Sequence, residues 1–155
     1  MTKLPEIKII RPINFVFHRA EITMNQLESQ IPVAKSLFRE VVRLDIHPTG
    51  PIHWHYAGFT GDAVTPFTLE VCLPVATVPP EYDGVFHFKR TAYFRAATLL
   101  HEGGWNDIPK SYAMVFQFIS QYHYQPVGIN RELYINADFS DPQSNVTEIQ
   151  VGINE

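Results

Sequence analysis

Apolar positions along the chain follow two rhythms, and the rhythms change in the same order twice. Near the start, EIKIIRPINFVFHRAEIT is rich in Ile, Val and Phe and reads as strand, with Pro12 marking an irregular or edge stretch. Next, Ile31, Ala34, Leu37, Phe38, Val41 and Val42 recur at helical spacing, and Pro32 suits a first turn, where its missing N–H costs nothing. This predicts a helix over 30–44. Gly50 and Pro51 then break the chain, and IHWHYAGF and FTLEVCLPVA follow as strands around a loop with Gly61, Asp62 and Pro66. After the connector VPPEYDG the cycle restarts. VFHFKRTAYFRAATLLHEG reads as strand, Gly103 and Gly104 as a turn, and Asp107 as the N-cap of a second helix. That helix carries Ile108, Tyr112, Val115, Phe116 and Ile119 as its apolar stripe. Gly128 ends a turn, and RELYINA and TEIQVGI are the last two strands.

The two cycles superpose. IPVAKSLF aligns with IPKSYAMV, GPIHWHYAGF with GINRELYINA, and LEVCLPV with TEIQVGI, in one order and at one nearly constant spacing. A chance match of two letters is cheap, but three in register are not. The pattern implies an α+β fold: a duplicated β-α-β-β unit in a twisted antiparallel sheet with two main helices. The expected organisation is a single domain over 1–155, with the repeat at about 7–76 and 85–154. Two copies within one core are a duplication and not a solenoid, which needs more repeats.

Bulk composition narrows the function. A chain of 155 residues suits one core, and 45% hydrophobic residues suit a globular protein. The formal charge is −4 and the basic residues form no cluster, which argues against a direct nucleic-acid surface. The N-terminal MTKLPEIKII has no long apolar run, so neither a signal peptide nor a membrane span is expected, and a cytoplasmic location is the default. Cys72 is the single cysteine and reads as a buried structural thiol.

The segment NRELYIN holds the most informative residues. Alternation along a strand puts Glu132, Tyr134 and Asn136 on one face and Arg131, Leu133 and Ile135 on the other. In the repeat register Trp54 matches Glu132 and Tyr56 matches Tyr134. An acid across from aromatics in a cleft between related halves suits an amphipathic cation. The alternative is an acid on a wet strand facing Arg or Lys.

These motifs, in this order, resemble the GyrI-like small-molecule-binding domain, also called the AraC-type effector-binding domain, of the SOUL-like fold. The resemblance rests on TGPIHWHY, LEVCLPVA, LLHEGGWNDIPKSYAMVFQFI, RELYINAD and TEIQVGI, and covers about residues 7–153. Gly152 stands where the family often has Pro, and Gly104-Trp105 replaces a common Pro-aromatic pair. With no regulator-type DNA-binding segment in the sequence, the chain is similar to the standalone bacterial members. The resemblance implies a central hydrophobic cleft for bulky, often cationic compounds, as in multidrug binding and transcription regulation, with Glu132 as the acid at its base. It also implies a second possibility, since some relatives are thought to hydrolyse cyclopropane-bearing toxins with a Glu and aromatic residues. A gyrase-inhibitor-like protein interaction is a third, weaker implication, and a partnership with a DNA-binding regulator is another open one.

The expected ligand-binding set is Glu132, Tyr134, Trp54, Tyr56, Tyr112 and Phe116, with Tyr93 and Trp105 as weaker members; Glu132 is the catalytic candidate if the protein is an enzyme. Tyr112 and Phe116 lie one turn apart and equally suit a helix-to-sheet core. Glu70 and Glu148 match in the repeat and read as a second polar feature or a solvent-facing pair. His53 and His55 point to the face opposite Glu132. As i, i+2 residues they form half of a metal site, but no third ligand stands at a supporting spacing, so no metal is expected. No cofactor is expected, although the resemblance leaves haem open, since some SOUL-like proteins are tied to it and one axial His would suffice. Neither G-x-S-x-G nor a Cys-His pattern supports nucleophilic catalysis.

Overall fold

The computed structural model describes residues 3–154, so Met1, Thr2 and Glu155, at the ends of the expected domain, lie outside it. The strands are β1 (Glu6–Ile10), β2 (Asn14–Ile22), β3 (His53–Ala57), β4 (Phe67–Pro74), β5 (His87–Arg90), β6 (Phe94–Glu102), β7 (Pro126–Asn136) and β8 (Val146–Ile153). The helices are α1 (Val33–Arg43) and α2 (Ile108–Gln121). One eight-stranded sheet runs in the order β1-β6-β8-β7-β3-β4-β2-β5, and every pairing is antiparallel.

Pro12 and the stretch Thr91–Tyr93 do more than roughen a strand. Each cuts a long apolar run in two, and the two pieces part company. β1 pairs with β6 of the second half, while β5 pairs with β2 of the first. Each half therefore places its opening strand on the far edge of the other. The halves meet at the β3–β7 pair, where Trp54 stands opposite Glu132 in register.

Both helices cover the same face. Across the sheet, Leu69, Tyr56, Asn130, Val151 and Ala97 form one row of facing residues. Leu69 and Tyr56 belong to the cluster around Leu37 and Val41 of α1; Val151 and Ala97 belong to the cluster around Val115 and Ile119 of α2. Burial of these apolar side chains is the main stabilising term at about 25 cal/mol per Å². Only part of the expected α1 stripe is used, since Val42 is 77% exposed and Phe38 and Ile31 are also at the surface.

Among the described residues no helix packs on the other face, yet Phe15, Phe17 and Cys72 are buried there. His53 and Phe15 meet edge to face at 4.9 Å between ring centres, and His55 and Phe15 at 5.1 Å. β7 begins earlier than the turn expected at Gly128. Gly128 instead has φ +84° inside an irregularity between Pro126 and Asn130, a conformation suited to a bulge residue without a Cβ. A second irregularity separates Tyr134 from Asn136. It takes Asn136 away from the expected Glu132–Tyr134 face, and its amide donates to the Ser144 carbonyl at 2.8 Å.

Candidate functional site

At the seam between the two helix clusters, Val71, Trp54, Glu132, Ile149 and Leu99 form the neighbouring row. An acid thus sits in the middle of an apolar row. Glu132 is buried and faces the helices, not a wet edge. Three phenols surround it. Tyr112 of α2 donates to Oε2 at 2.6 Å, Tyr134 donates to Oε1 at 2.7 Å, and Tyr56 of β3 reaches Oε1 at 3.3 Å. No Lys or Arg pairs with it among the described residues.

Burial pushes the Glu132 carboxyl above its ordinary range, and the tyrosine hydrogen bonds pull it back in part. The phenols of Tyr56, Tyr112 and Tyr134 are driven well above theirs, chiefly by burial and then by the adjacent carboxylate. They are donors to the acid, not proton sources. Hydroxyls satisfy its lone pairs but supply no positive charge.

Aromatic rings frame this group. Tyr134 meets Trp54 and Trp105 edge to face, each with 5.8 Å between ring centres. Trp105 also donates from Nε1 to Thr147 Oγ1 at 3.2 Å and packs against Phe139 at 5.1 Å. Phe116 stacks on Tyr112 at 6.4 Å and is 41% exposed. The structure therefore brings Glu132, Tyr134, Trp54, Tyr56, Tyr112, Phe116 and Trp105 together. Tyr93 is elsewhere: it is 70% exposed in the β5–β6 connector. It lies six residues before Leu99, the β6 member of the Glu132 row, which is about 20 Å along a strand.

Sequence reading missed two neighbours. His101 lies buried on β6, bonded to Ser111 Oγ and the Gly104 carbonyl at 2.8 Å each, and its field slightly favours the ionised form of Glu132. The period-2 pattern through Leu99 was a signal for it. Phe139 sits in a loop, and no periodicity marked it. The packing over Glu132 is closed. Two clefts are defined elsewhere, one of about 160 Å³ beside His101 and Ser111 and one of about 280 Å³ on the opposite face; Glu132 lines neither.

The opposite face holds the other candidates. Glu70 pairs with Lys89 at 2.5 Å and with Arg19 at 2.7 Å, and Glu148 pairs with Lys8 at 2.7 Å. The matched acids are thus each met by a lysine from a swapped edge strand. His53 Nδ1 lies 3.2 Å from His55 Nε2. His55, Glu70 and Cys72 place potential ligand atoms within 4.8 Å of one another, so the third ligand missing from the linear spacing is supplied by the fold. The surroundings disfavour a cation. Lys89 Nζ lies 3.3 Å from His55 Nδ1 while bonded to Glu70, and burial pushes the Cys72 thiol up to about 12.

Solved structures show the same fold. The crystal structure of the EcmrR C-terminal domain aligns with a TM-score of 0.80 at 18% identity, covering 97% of each chain. In the EcmrR–DNA complex the chain spans 57% of the EcmrR length. SAV2435 bound to tetraphenylphosphonium aligns with a TM-score of 0.63 at 12% identity, covering 98% of this chain and 94% of that one. A hydrolase encoded by lin2189 from Listeria innocua aligns at 0.70 and 12% identity, covering 99% and 93%. No curated protein is significantly similar in sequence. No helix among the described residues is long and apolar enough to cross a membrane. The model of the GyrI-like small molecule binding domain matches residues 4–154, and the chain belongs to that family.

Proposed function

We propose that the protein binds a bulky, lipophilic organic cation over Glu132, for sensing, sequestration or detoxification, and that it is one domain built by internal duplication. One observation carries the binding reading: a buried carboxylate held by three hydroxyls and paired with no cation. A ligand cation supplies the missing charge, and rings of Trp54, Tyr134, Trp105 and Phe116 supply apolar and cation–π contact. Because Glu132 is buried, a ligand reaches it only if the surrounding side chains rearrange. The tetraphenylphosphonium bound to SAV2435 supports this ligand class, and the EcmrR–DNA complex supports a sensing role alongside a DNA-binding regulator.

The test is titration with tetraphenylphosphonium, followed by Trp fluorescence and calorimetry. Saturable binding is expected in the wild type. Glu132→Gln preserves shape and removes charge, and should weaken binding by about 2–5 kcal/mol. Equal affinity in the two proteins would refute the counter-ion role.

A second reading has its own support, the raised carboxyl of Glu132 in an apolar site and the likeness to the Listeria hydrolase. Here Glu132 takes a proton from water as the oxygen attacks a strained cyclopropane carbon. The ring C–C bond breaks, and its electron pair moves to the adjoining electrophilic group. A water-added product made by wild type and not by Glu132→Gln would select this reading.

A further inference from the structure

On the sheet face away from the helices, the structure assigns a second site, for a small oxyanion, a carboxylate or a phosphate, held by Arg131, Lys89 and Arg19. Arg19, Glu70, His55 and Arg131 form a continuous row across β2, β4, β3 and β7. The cleft of about 280 Å³ opens over this row, lined by all four and by Lys89. Its volume accommodates a small anion, and its lining, unlike that around Glu132, is mainly charged and polar on this row.

Arg131 carries the argument. The residue is 6% exposed, and its Nε and Nη1 have no hydrogen-bond partner. Its guanidinium lies over the Phe94 ring at 3.9 Å, which occupies a face of the group and leaves its N–H edges free. The nearby acid on the row is already committed. Glu70 Oε1 accepts from Lys89, and Oε2 accepts from Arg19. The cleft thus holds three cationic side chains against one carboxylate. His55 in the lining and the adjacent His53 add no negative charge, and burial and the nearby cations hold both well below their ordinary range, His53 at about 3. Arg131 itself is pulled down only to about 10, so it remains charged at neutral pH.

Buried guanidinium donors without an acceptor are unfavourable, and an oxyanion is the ligand whose geometry satisfies them. Lys89 and Arg19 are placed to complete the contact. Their side chains are 25% and 57% exposed, so the cleft is reached from solvent. The site does not depend on the Glu132 reading, because adjacent strand residues point to opposite faces.

The experiment is titration of the purified protein at low chloride with inorganic phosphate and, separately, acetate, followed by amide chemical shifts of β3 and β7 and by melting temperature. Saturable shifts with a Kd of about 10 mM or tighter are expected. Arg131→Met and Lys89→Met should each weaken the binding about tenfold or more. Phosphate binding without acetate binding assigns a phosphoryl ligand; binding of both assigns carboxylates as well. If Arg131→Met folds poorly, Lys89→Met and Arg19→Met, at more exposed positions, carry the same test. Linear, unsaturable shifts would overturn the site, as would binding unchanged in Lys89→Met and Arg19→Met. Arg131 would then be satisfied internally by Gln150, whose Oε1 is also unpartnered on the residue opposite it in register.

Discussion

The two faces of the β3–β7 pair carry opposite uncompensated charges. On the helix face, Glu132 is buried among hydroxyls with no cation; on the other, Arg131 is buried over an aromatic ring with no anion. The residues are neighbours in sequence, and the pleat separates them. Two helices seal the first face. The second is only partly covered, by its own aromatic and imidazole rings packed around Phe15, and a cleft opens beside them. A buried charge left unpaired is costly, and the two proposed ligands, a cation on one face and an oxyanion on the other, would each offset one.

The sharpest way to break this comparison is to ask whether the helix-free face is a true core. Phe15→Ala should destabilise by about 3–5 kcal/mol, comparable with about 2–5 kcal/mol for Leu37→Ala under α1. Urea denaturation measures both. A loss below about 1 kcal/mol for Phe15→Ala would mean that the second face is a solvated sheet surface.

Next comes the acid's hydrogen bonding. Tyr112→Phe removes a 2.6 Å donor from a buried carboxylate and should cost about 1.5–3 kcal/mol at neutral pH. Tyr56→Phe, at 3.3 Å, should cost less than about 1 kcal/mol. If the two variants were equally stable, the carboxylate would not be anchored as described.

The faces also respond oppositely to pH. The Glu132 carboxyl is raised in the folded protein, so its contribution is full below the unfolded carboxyl value and is lost as pH rises through the folded one. His53 is depressed to about 3, so its contribution is full above the unfolded histidine value, about 6.5, and is lost as pH falls toward 3. Stability curves of Glu132→Gln and His53→Phe, each subtracted from wild type, should therefore slope in opposite directions. Curves of the same sign would contradict the assignment.

The smallest expected effect is the cross-talk. A double-mutant cycle of Arg131→Met and Glu132→Gln should give a coupling of about 0.5–1 kcal/mol, since the charges lie on opposite faces of one strand. A coupling near zero would mean that the faces act independently.

Much of this organisation was readable from the chain. The alternation of Glu132 and Tyr134 and the helical spacing of Tyr112 and Phe116 follow from local periodicity, and the match of Trp54 to Glu132 from the internal repeat. Periodicity could not show that Tyr93 leaves the site, because a strand pattern does not reveal where its run is cut. Nor could it show that Asn136 turns away, because a bulge shifts the face without changing composition. His53, His55 and Glu70 were each visible, but as pieces of a metal half-site and a pair of acids.

By itself the sequence determined the element types, their twofold order and, away from bulges, the residues that share a face, because these depend on steric preferences and repeat lengths of two and 3.6 residues. Only the tertiary structure decided which strands exchange edges and which charges find partners. Lys89 reaches Glu70 because β5 crosses to the first half, and Arg131 is left unpaired because Glu70 is then fully used. Pairing of distant strands is set by how the whole sheet closes its hydrogen bonds and buries its apolar face, and no local pattern in the chain encodes that choice.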